Sequence, residues 1–280
     1  MDVLAAPDLD RVRHLLRGRP LVALTGAGLS TDSGIPDYRG PGAPRHSPMT
    51  FQEFVSGEDP RRRYWARSHV GWARVSRAVP NAGHAALAAL ERAGVLAGLI
   101  TQNVDGLHTR AGSGAVVELH GRIADVTCLG CRAVTSRAEL QRRLDALNPG
   151  FADLHTGTPT ARPDGDADLV DVAGFRVAPC DACGGVLKPD VVFFGENVPR
   201  ERVARCYDLV DTIAVLNGAL LVAGSSLHVM SGLRFVRHAH RLGLPVVIVN
   251  RGATRGDTLA TARLDGGCSE TLTALAAALH

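Results

Sequence analysis

Several residue types that mark common protein classes are scarce in this 280-residue sequence. Lys188 is the only lysine, aromatic residues make up 4% of the chain, and the longest cationic run is Arg61–Arg63. The 31 basic and 28 acidic residues give a formal net charge of only +3. A nucleic-acid-binding surface needs clustered basic residues, usually interleaved with aromatic side chains. Neither the charge nor the composition therefore indicates nucleic acid as a partner.

Long apolar runs and internal repeats are also missing. No run approaches the roughly 18 residues of a membrane-spanning helix, and no sequence period indicates a solenoid or a fibre. The segment Met1–Arg19 has no apolar region of the kind found in secretion signals, and its three aspartates also disfavour a transit peptide. We therefore expect a cytoplasmic protein that does not bind membranes. Its 45% apolar content allows a sizeable core without disulfides.

Cysteine is infrequent, but four of the six cysteines form two C-x2-C pairs. Cys128 and Cys131 form the first pair, and Cys180 and Cys183 form the second. In a reducing compartment such pairs more often bind a metal than form disulfides, and four thiolates complete the tetrahedral coordination of Zn²⁺. Because no coordination position is left open, we predict one structural zinc ion. The alternative is two unrelated redox or free-thiol pairs.

The 48 residues between the two cysteine pairs exceed the spacing of a compact zinc ribbon, so an insertion must separate them. Within it, Ser136–Glu139 has the pattern of a capping box and predicts a helix that continues to Leu147. A loop rich in glycine, proline and aspartate is expected from Asn148 to Asp171. Cys206 falls in a predicted helix, where we expect an inert, packed thiol.

Short apolar runs alternate with helical patterns along most of the chain. Four helices are predicted: one at 8–17, one from Asn81 to Gly94, one that begins at Pro199 and one that ends at Gly243. Strands are predicted at 20–24, 97–100, 219–223 and 245–249. This alternation predicts an α/β fold with a doubly wound parallel, Rossmann-like sheet and a nucleotide at the carboxyl ends of its strands. The alternation is broken from Gly121 to Phe194. We therefore predict a Rossmann-like domain formed by residues 1–120 and 195–280, with a smaller zinc-binding module inserted at 121–194.

The first predicted strand leads into the glycine-rich segment Thr25–Ser30. Glycines let backbone N–H groups approach a pyrophosphate, and such a turn normally leads into a helix. The third glycine of the usual fingerprint is missing, so a plain tight turn explains the segment nearly as well. Polar residues also follow the second predicted strand, at Gln102, Asn103 and Asp105. An Asx-type turn accounts well for one such residue and less well for three together.

Seven motifs, in this order, resemble those of the sirtuins, and the resemblance covers residues 8–279. The motifs are Gly26–Ser30, Gly34–Arg39, Thr101–His108, Glu118–Gly121, the two C-x2-C pairs, Phe193–Glu196 and Gly224–Leu227. Three further segments, Arg63–Arg67, Leu187–Gly195 and Ser231–Phe235, are similar to the class II branch, whose best-known animal member is a mitochondrial lipoamidase and ADP-ribosyltransferase. As a family, sirtuins use NAD to remove acyl groups from protein lysines, and they release nicotinamide and O-acyl-ADP-ribose. Acylated lysines of proteins are therefore the expected substrates.

The resemblance also implies a role for each matching residue. His120 becomes the general base that takes a proton from a ribose hydroxyl, for which an imidazole of ordinary pKa, roughly 6.5, is suitable. Asp105 holds the carboxamide of nicotinamide, while Asn103 and Gln102 contact the ribose and nearby water. His108 is expected to be structural. The remaining NAD-binding set is Gly26, Ala27, Gly28, Ser30, Asp37, Tyr38, Arg39, Gly224, Ser225, Ser226, Asn250, Arg251 and Cys268.

Other functions remain open at this stage. Tyr64 and Arg67 have the spacing with which desuccinylating relatives bind a carboxylate, but they stand about three residues too early in the motif, so the spacing does not predict a succinyl preference. The segment Gly34–Pro44 suits a loop that orders over NAD and equally a plain surface loop. The alternative activities are a protein mono-ADP-ribosyltransferase that uses the same pocket, a non-catalytic zinc-ribbon module and a nicotinamide-dependent oxidoreductase.

Overall fold

The computed structural model describes residues 6–39, 48–155 and 172–279. The α-helices within these residues are α1 Ala6–Leu16, α2 Phe51–Val55, α3 Glu58–Arg77, α4 Ala82–Arg92, α5 Leu107–Arg110, α6 Arg137–Leu147, α7 Arg200–Val215, α8 Met230–Arg241 and α9 Cys268–Leu279. The strands are β1 Leu21–Thr25, β2 Leu96–Thr101, β3 Val116–Glu118, β4 Gly121–Cys128, β5 Val134–Ser136, β6 Leu187–Val191, β7 Ala219–Ala223, β8 Val246–Val249 and β9 Ala262–Leu264. Short 3-10 turns lie at Ala27–Leu29, Thr31–Ser33, Asp153–His155 and Asp257–Leu259.

The larger sheet has the strand order β3-β2-β1-β7-β8-β9 in the described residues, and every pair is parallel. The chain moves outward from β1 to β3 on one side and from β7 to β9 on the other. The order therefore reverses between β1 and β7, which pair from Leu21 opposite Ala219 to Thr25 opposite Ala223. In a doubly wound sheet, the crevice at the carboxyl ends of two such strands is where ligands bind.

Helices cover both faces of the larger sheet, as the doubly wound prediction requires. One apolar cluster joins β1, β2, β7 and β8 to α1, α4 and α9, and a second joins the other face to α7 and α8. All five residues of β1 and all five of β7 are buried, which explains why these strands are continuous apolar runs. Cys206 is fully buried in the second cluster, where desolvation raises the pKa of its thiol to about 12.

The smaller sheet is antiparallel, with the order β5-β4-β6 among the described residues. Its core includes Val126, Leu140 and Leu187, and it also takes Phe54 from α2 and Trp65 from α3. The indole Nε1 of Trp65 donates to the carbonyl of Leu187 at 3.1 Å. Two helices that precede the predicted inserted module in sequence thus pack into its core. The domain limits stated above stay a prediction.

Local signals placed most helix ends correctly, with two differences. The α4 helix begins after Asn81, whose side chain accepts from the N–H groups of Gly83 and His84. The α6 helix also begins as predicted, but Ser136 accepts from Ala138, so the reciprocal capping box is not formed. The glycine-rich segment after β1 leads into two 3-10 turns rather than the α-helix that usually follows such a segment. The predicted loop at 148–171 lies outside the described residues from 156 onward.

None of the helices in the described ranges is both long enough and apolar enough to cross a membrane.

Candidate functional site

A cradle of glycines lies where the strand order reverses. The N–H of Gly28 donates to the carbonyl of Gly224 at 2.8 Å, so the turns after β1 and β7 touch through their backbones. A Cβ on Gly26 would lie 2.8 Å from the same carbonyl, and one on Gly224, whose φ is +64°, would lie 2.3 Å from the nitrogen of Leu29. Side chains are sterically excluded here, so the two turns can pack closely and leave this end of the sheet open to a ligand such as a pyrophosphate.

Three polar residues follow β2, and each side chain bonds to a residue on a neighbouring strand end or turn. The side-chain nitrogen of Gln102 donates to Ser225 Oγ at 2.7 Å. That of Asn103 donates to the carbonyl of Gly26 at 3.1 Å and to Ser30 Oγ at 3.0 Å. Both side chains thus reach the ends of neighbouring strands.

Asp105 has both a local and a long-range contact. Its Oδ1 accepts from the N–H of Leu107 at 2.9 Å, which is an Asx-type turn, and its Oδ2 accepts from Ser30 Oγ at 2.7 Å. The turn interpretation therefore explains one carboxylate oxygen. The other oxygen ties the residue to the glycine-rich segment on the floor of the site.

His120 follows β3, and both of its ring nitrogens have partners. Nδ1 lies 3.0 Å from the carbonyl oxygen of Gln102, and Nε2 lies 2.8 Å from Ser231 Oγ. A carbonyl can only accept, so Nδ1 carries the hydrogen and Nε2 presents a lone pair. Burial, together with the positive charge of Arg202, lowers the pKa of His120 to about 4. This value lies below the roughly 6.5 of a free imidazole, so the ring is neutral at physiological pH.

These residues line one cavity of about 390 Å³ at the carboxyl end of the larger sheet. The sequence-predicted residues that line it are His120, Asn103, Asp105, Gln102, Gly26, Ala27, Gly28, Ser30, Asp37, Tyr38, Arg39, Gly224, Ser225, Ser226, Asn250 and Arg251. The ring of Tyr38 meets that of Phe194 edge-on, with centroids 6.2 Å apart, so the predicted cofactor segment reaches the loop after β6. The remainder of the predicted segment Gly34–Pro44 lies outside the described residues from 40 onward.

Cys268 is the predicted cofactor residue that does not line this cavity. It is buried in the apolar cluster under α9, and desolvation raises the pKa of its thiol to about 12. A Cβ on Gly224 would lie 3.1 Å from its sulfur, so Cys268 supports the glycine cradle from behind. The structure thus places it in the core, because the start of α9 turns this side chain toward the sheet.

Tyr64 and Arg67 also lie away from the lining of the cavity. Tyr64 is buried among aromatic rings, with Phe54 and Phe193 at centroid distances of 5.5 and 5.2 Å. Tyr64 therefore belongs to the core of the smaller sheet.

Two buried histidines lie beneath the site. Nε2 of His108 is 2.9 Å from Thr25 Oγ1, and the ring of His84 lies 4.8 Å from that of His108 between centroids. Burial lowers the pKa of His84 to about 4 and that of His108 well below its usual value. His108 is therefore structural, as predicted, and both rings are neutral.

The four predicted metal ligands come together. The sulfurs of Cys128, Cys131, Cys180 and Cys183 all lie within 4.8 Å of one another, with separations of 3.6 Å for Cys128–Cys183 and 3.8 Å for Cys131–Cys180. Four sulfurs at about 2.3 Å from a tetrahedral Zn²⁺ are about 3.8 Å apart, so the cluster fits zinc. None of the four lines the cavity described above, which is consistent with a structural ion.

Sequence reasoning missed two kinds of residue in the cavity. Ser231 and Arg234, in the first half of α8, line the cavity. Their only assignment from the sequence was membership of the segment Ser231–Phe235, which is similar to the class II branch. The loop Val191–Val198 forms much of the opposite wall. Ser231 could have been predicted from its position, because it stands four residues after the Gly224–Leu227 motif, which follows a strand at the cavity.

Comparison with known proteins agrees with this geometry. The family model described as the Sir2 family matches residues 26–231. The NAD-dependent protein deacetylase 1 of Mycobacterium avium (strain 104) is 57% identical over 264 residues, which cover 94% of this chain and 92% of the relative. The protein of the same name from Streptomyces coelicolor (strain ATCC BAA-471 / A3(2) / M145) is 58% identical, over 92% of this chain and 85% of the relative. The chain therefore belongs to the Sir2 family, the sirtuins.

Solved structures support the same assignment. One, from work on the mechanism and regulation of Sir2 enzymes, has a TM-score of 0.77 at 26% identity and matches 98% of both chains. Another, a Sir2 complex with a p53 peptide and NAD⁺, has a TM-score of 0.71 at 32% identity, over 91% of this chain and 90% of that one. The parallel Rossmann-like sheet with its separate small antiparallel sheet is thus the Sir2 fold.

Proposed function

We propose that the cavity binds NAD and an acylated lysine of a protein, and that the chain is an NAD-dependent protein deacetylase. One observation carries this proposal: the unprotonated Nε2 of His120 belongs to the same cavity as the glycine cradle. A dinucleotide bound along the cradle therefore shares the cavity with a neutral imidazole. The names of the bacterial relatives, and the peptide and NAD⁺ in the structural neighbour, support the choice of substrates.

Residues after different strands bind different parts of NAD. Gly26, Gly28 and Gly224 keep side chains away from the diphosphate, and Asn250 and Arg251, after β8, hold the ribose at the adenine end. NAD, when bound, would supply an anomeric ribose carbon that bonds to the acyl oxygen while the bond from that carbon to nicotinamide breaks. Asp105 is held in place by Ser30 and Leu107. We assign it to the nicotinamide carboxamide.

The chain's own residues hold the site ready for proton transfer. Asn103 is buried and fixed to Gly26, which places its amide beside the cradle to orient the ribose. His120 accepts the proton of a ribose hydroxyl at Nε2. Because its pKa is about 4, the ring is already neutral at pH 7 and needs no prior deprotonation.

Zinc has a structural role in this proposal. Its four thiolates join the end of β4 to the segment before β6, and the core beneath them also holds Phe54 and Trp65. The ion therefore supports the wall of the cavity formed by Val191–Val198 without contacting substrate. Residues 121–194 with α2 and α3 form the small module in this view.

Three finer assignments belong to the same proposal. The class II branch is supported by the segments Arg63–Arg67, Leu187–Gly195 and Ser231–Phe235, and the named relatives support deacetylation as the main activity. A reducing, cytoplasmic location is supported by six unpaired cysteines. The absence of clustered basic residues supports protein rather than nucleic acid as the partner.

The test is a comparison of the natural chain with His120→Ala. Acetyl-lysine peptide and NAD are supplied, and nicotinamide, O-acetyl-ADP-ribose and labelled protein are measured separately. We expect product formation to fall at least about a thousandfold in the variant, with unchanged circular dichroism and zinc content. His240→Ala, at an exposed position on α8, is the matched control and keeps full activity.

Two results would count against the proposal. Product formation retained by His120→Ala removes the histidine from the role of base. ADP-ribose attached to protein, with no O-acetyl-ADP-ribose released, would instead identify a mono-ADP-ribosyltransferase.

A further inference from the structure

The hydroxyl of Ser231 contacts the reactive nitrogen of His120. Ser231 lies in the first turn of α8, and its Oγ is 2.8 Å from Nε2. Nδ1 of the same ring is occupied by its own hydrogen, which points at the carbonyl of Gln102. Nε2 is therefore the acceptor, and the Ser231 hydroxyl must be the donor.

Close packing fixes the spacing of the two elements that hold the ring. A Cβ on Gly232 would lie 2.5 Å from Oε1 of Gln102, so the start of α8 sits directly against that side chain. Gln102 is itself held by Ser225, through a hydrogen bond of 2.7 Å. The imidazole thus lies between a carbonyl after β2 and a hydroxyl on α8, on two elements that pack directly against each other.

We propose that Ser231 is a positioning residue for the deacylation step, acting on Nε2 of His120 both before and after proton transfer. Before transfer, its hydroxyl donates to the single lone pair of Nε2 and holds the ring in place until a substrate hydroxyl replaces it there. During transfer, the O–H bond of a substrate hydroxyl breaks, its oxygen keeps the electron pair, and a new N–H bond forms at Nε2. Once the substrate oxygen has moved away to form its next bond, the Ser231 hydroxyl rotates about its Cβ–Oγ bond and accepts that N–H. This inference rests on the proposed role of His120.

The hydrogen bond that Ser231 accepts after proton transfer stabilises a positive charge that is otherwise unfavourable in this buried place. Burial and Arg202 disfavour a positive charge on the ring, which is why the pKa of His120 is low. An imidazolium left with an unpaired N–H would be costly in such a place, whereas a charge-assisted hydrogen bond to a hydroxyl is roughly twice as strong as a neutral one. The other charged groups that line the cavity are Asp37, Arg39, Asp105, Glu196, Arg234 and Arg251, and Glu118 lies two residues before the ring.

The first experiment needs no NAD. In ¹⁵N-histidine NMR spectra of the free protein, His120 should show a protonated Nδ1 and a hydrogen-bonded, unprotonated Nε2. In Ser231→Ala, the Nε2 resonance should move toward the value of a free imidazole nitrogen, while Ser231→Thr, which keeps a hydroxyl, should leave it near its original value. Thr212→Ala, which removes an exposed hydroxyl on α7, is the control and should change nothing.

The second experiment separates the two halves of the reaction. Nicotinamide exchange reports on the step before the base is needed, and O-acetyl-ADP-ribose formation reports on the step that uses it. We expect Ser231→Ala to lower product formation roughly tenfold more than exchange, the size expected when a buried charged N–H loses its acceptor. Ser231→Thr should restore the natural ratio.

The outcomes distinguish this inference from the proposed function. If Ser231→Ala alters neither the ratio nor the Nε2 resonance while His120→Ala abolishes product formation, Ser231 has no positioning role and His120 keeps its own. If exchange and product formation fall equally, the serine is merely structural. If His120→Ala still forms product, both assignments fall together.

Discussion

Lys188 and Glu196 form a buried ion pair at the base of the cavity wall. The two side chains meet at 3.0 Å, and that of Lys188 is only 3% exposed. The same carboxylate oxygen accepts from the N–H of Phe193 at 2.9 Å, and the ammonium lies 4.6 Å from the centre of the Phe193 ring. The pair therefore fastens the turn at Phe193–Glu196, where the chain leaves β6 and enters the cavity lining.

Replacing the ammonium should destabilise the protein. Lys188→Met leaves a largely buried carboxylate without its counter-ion, and we expect a loss of about 3 kcal/mol in the free energy of unfolding. Urea denaturation measures it. Arg62→Met, which breaks the exposed pair of Arg62 with Asp59, is the control and should cost less than about 1 kcal/mol. A double variant with Glu196→Gln should recover part of the loss; no recovery would mean that the pair is not coupled.

The buried neutral histidines should make the fold sensitive to acid. The pKa values of His84 and His120 are about 4, below the roughly 6.5 of an unfolded chain, so below pH 6.5 the unfolded state binds protons that the folded state does not. Stability falls as the pH decreases through this window, and each such histidine contributes a slope of about 1.4 kcal/mol per pH unit. Denaturation at pH 7, 6 and 5 gives the slope. The variant His120→Gln should reduce it by one histidine's share, and an unchanged slope would mean that the ring is protonated in the fold.

Removal of the zinc should act on stability before it acts on chemistry. One zinc per chain is expected in the purified protein, measured by elemental analysis, and none in Cys128→Ser. We expect the variant to melt at least about 6 °C lower, which corresponds to a few kcal/mol for a chain of this size. The control Cys206→Ala lies in another core and should retain the metal. A folded, metal-free natural protein would contradict the four-thiolate site.

The glycine cradle should tolerate no side chain. Gly224→Ala combines a φ of +64° with a Cβ only 2.3 Å from the nitrogen of Leu29, so the turns after β1 and β7 must separate. We expect NAD affinity, measured by calorimetry, to fall more than about tenfold, which is about 1.4 kcal/mol. Gly94→Ala has a similar φ of +73° but open space around it. It should lose about 1 kcal/mol of stability and keep its affinity for NAD.

The cysteine pairs and the polar strand ends could be predicted because their chemistry is local. A C-x2-C turn brings two thiolates together whatever surrounds it, and parallel strands bring their carboxyl ends to one edge. The alternation of strands and helices then specifies the sheet, so the glycine-rich turn, Gln102–Asp105 and His120 were expected to meet. The family resemblance assigned their roles, and the geometry of the cavity is compatible with those roles.

Tertiary packing determined the rest. The contact of Ser231 with His120 joins residues 111 positions apart. The low pKa of the imidazole results from the surfaces that bury it, which no local pattern reports. The side chain of Cys268 turned into the core rather than the cavity, and α3 packed against the smaller sheet. Periodicity shows which face of an element is apolar, but which other element covers that face is decided only when the whole chain is packed. The sequence by itself determined the sheet, the metal ligands and the set of polar residues, whereas the protonation state of the base and the identity of its partner depend on long-range contacts.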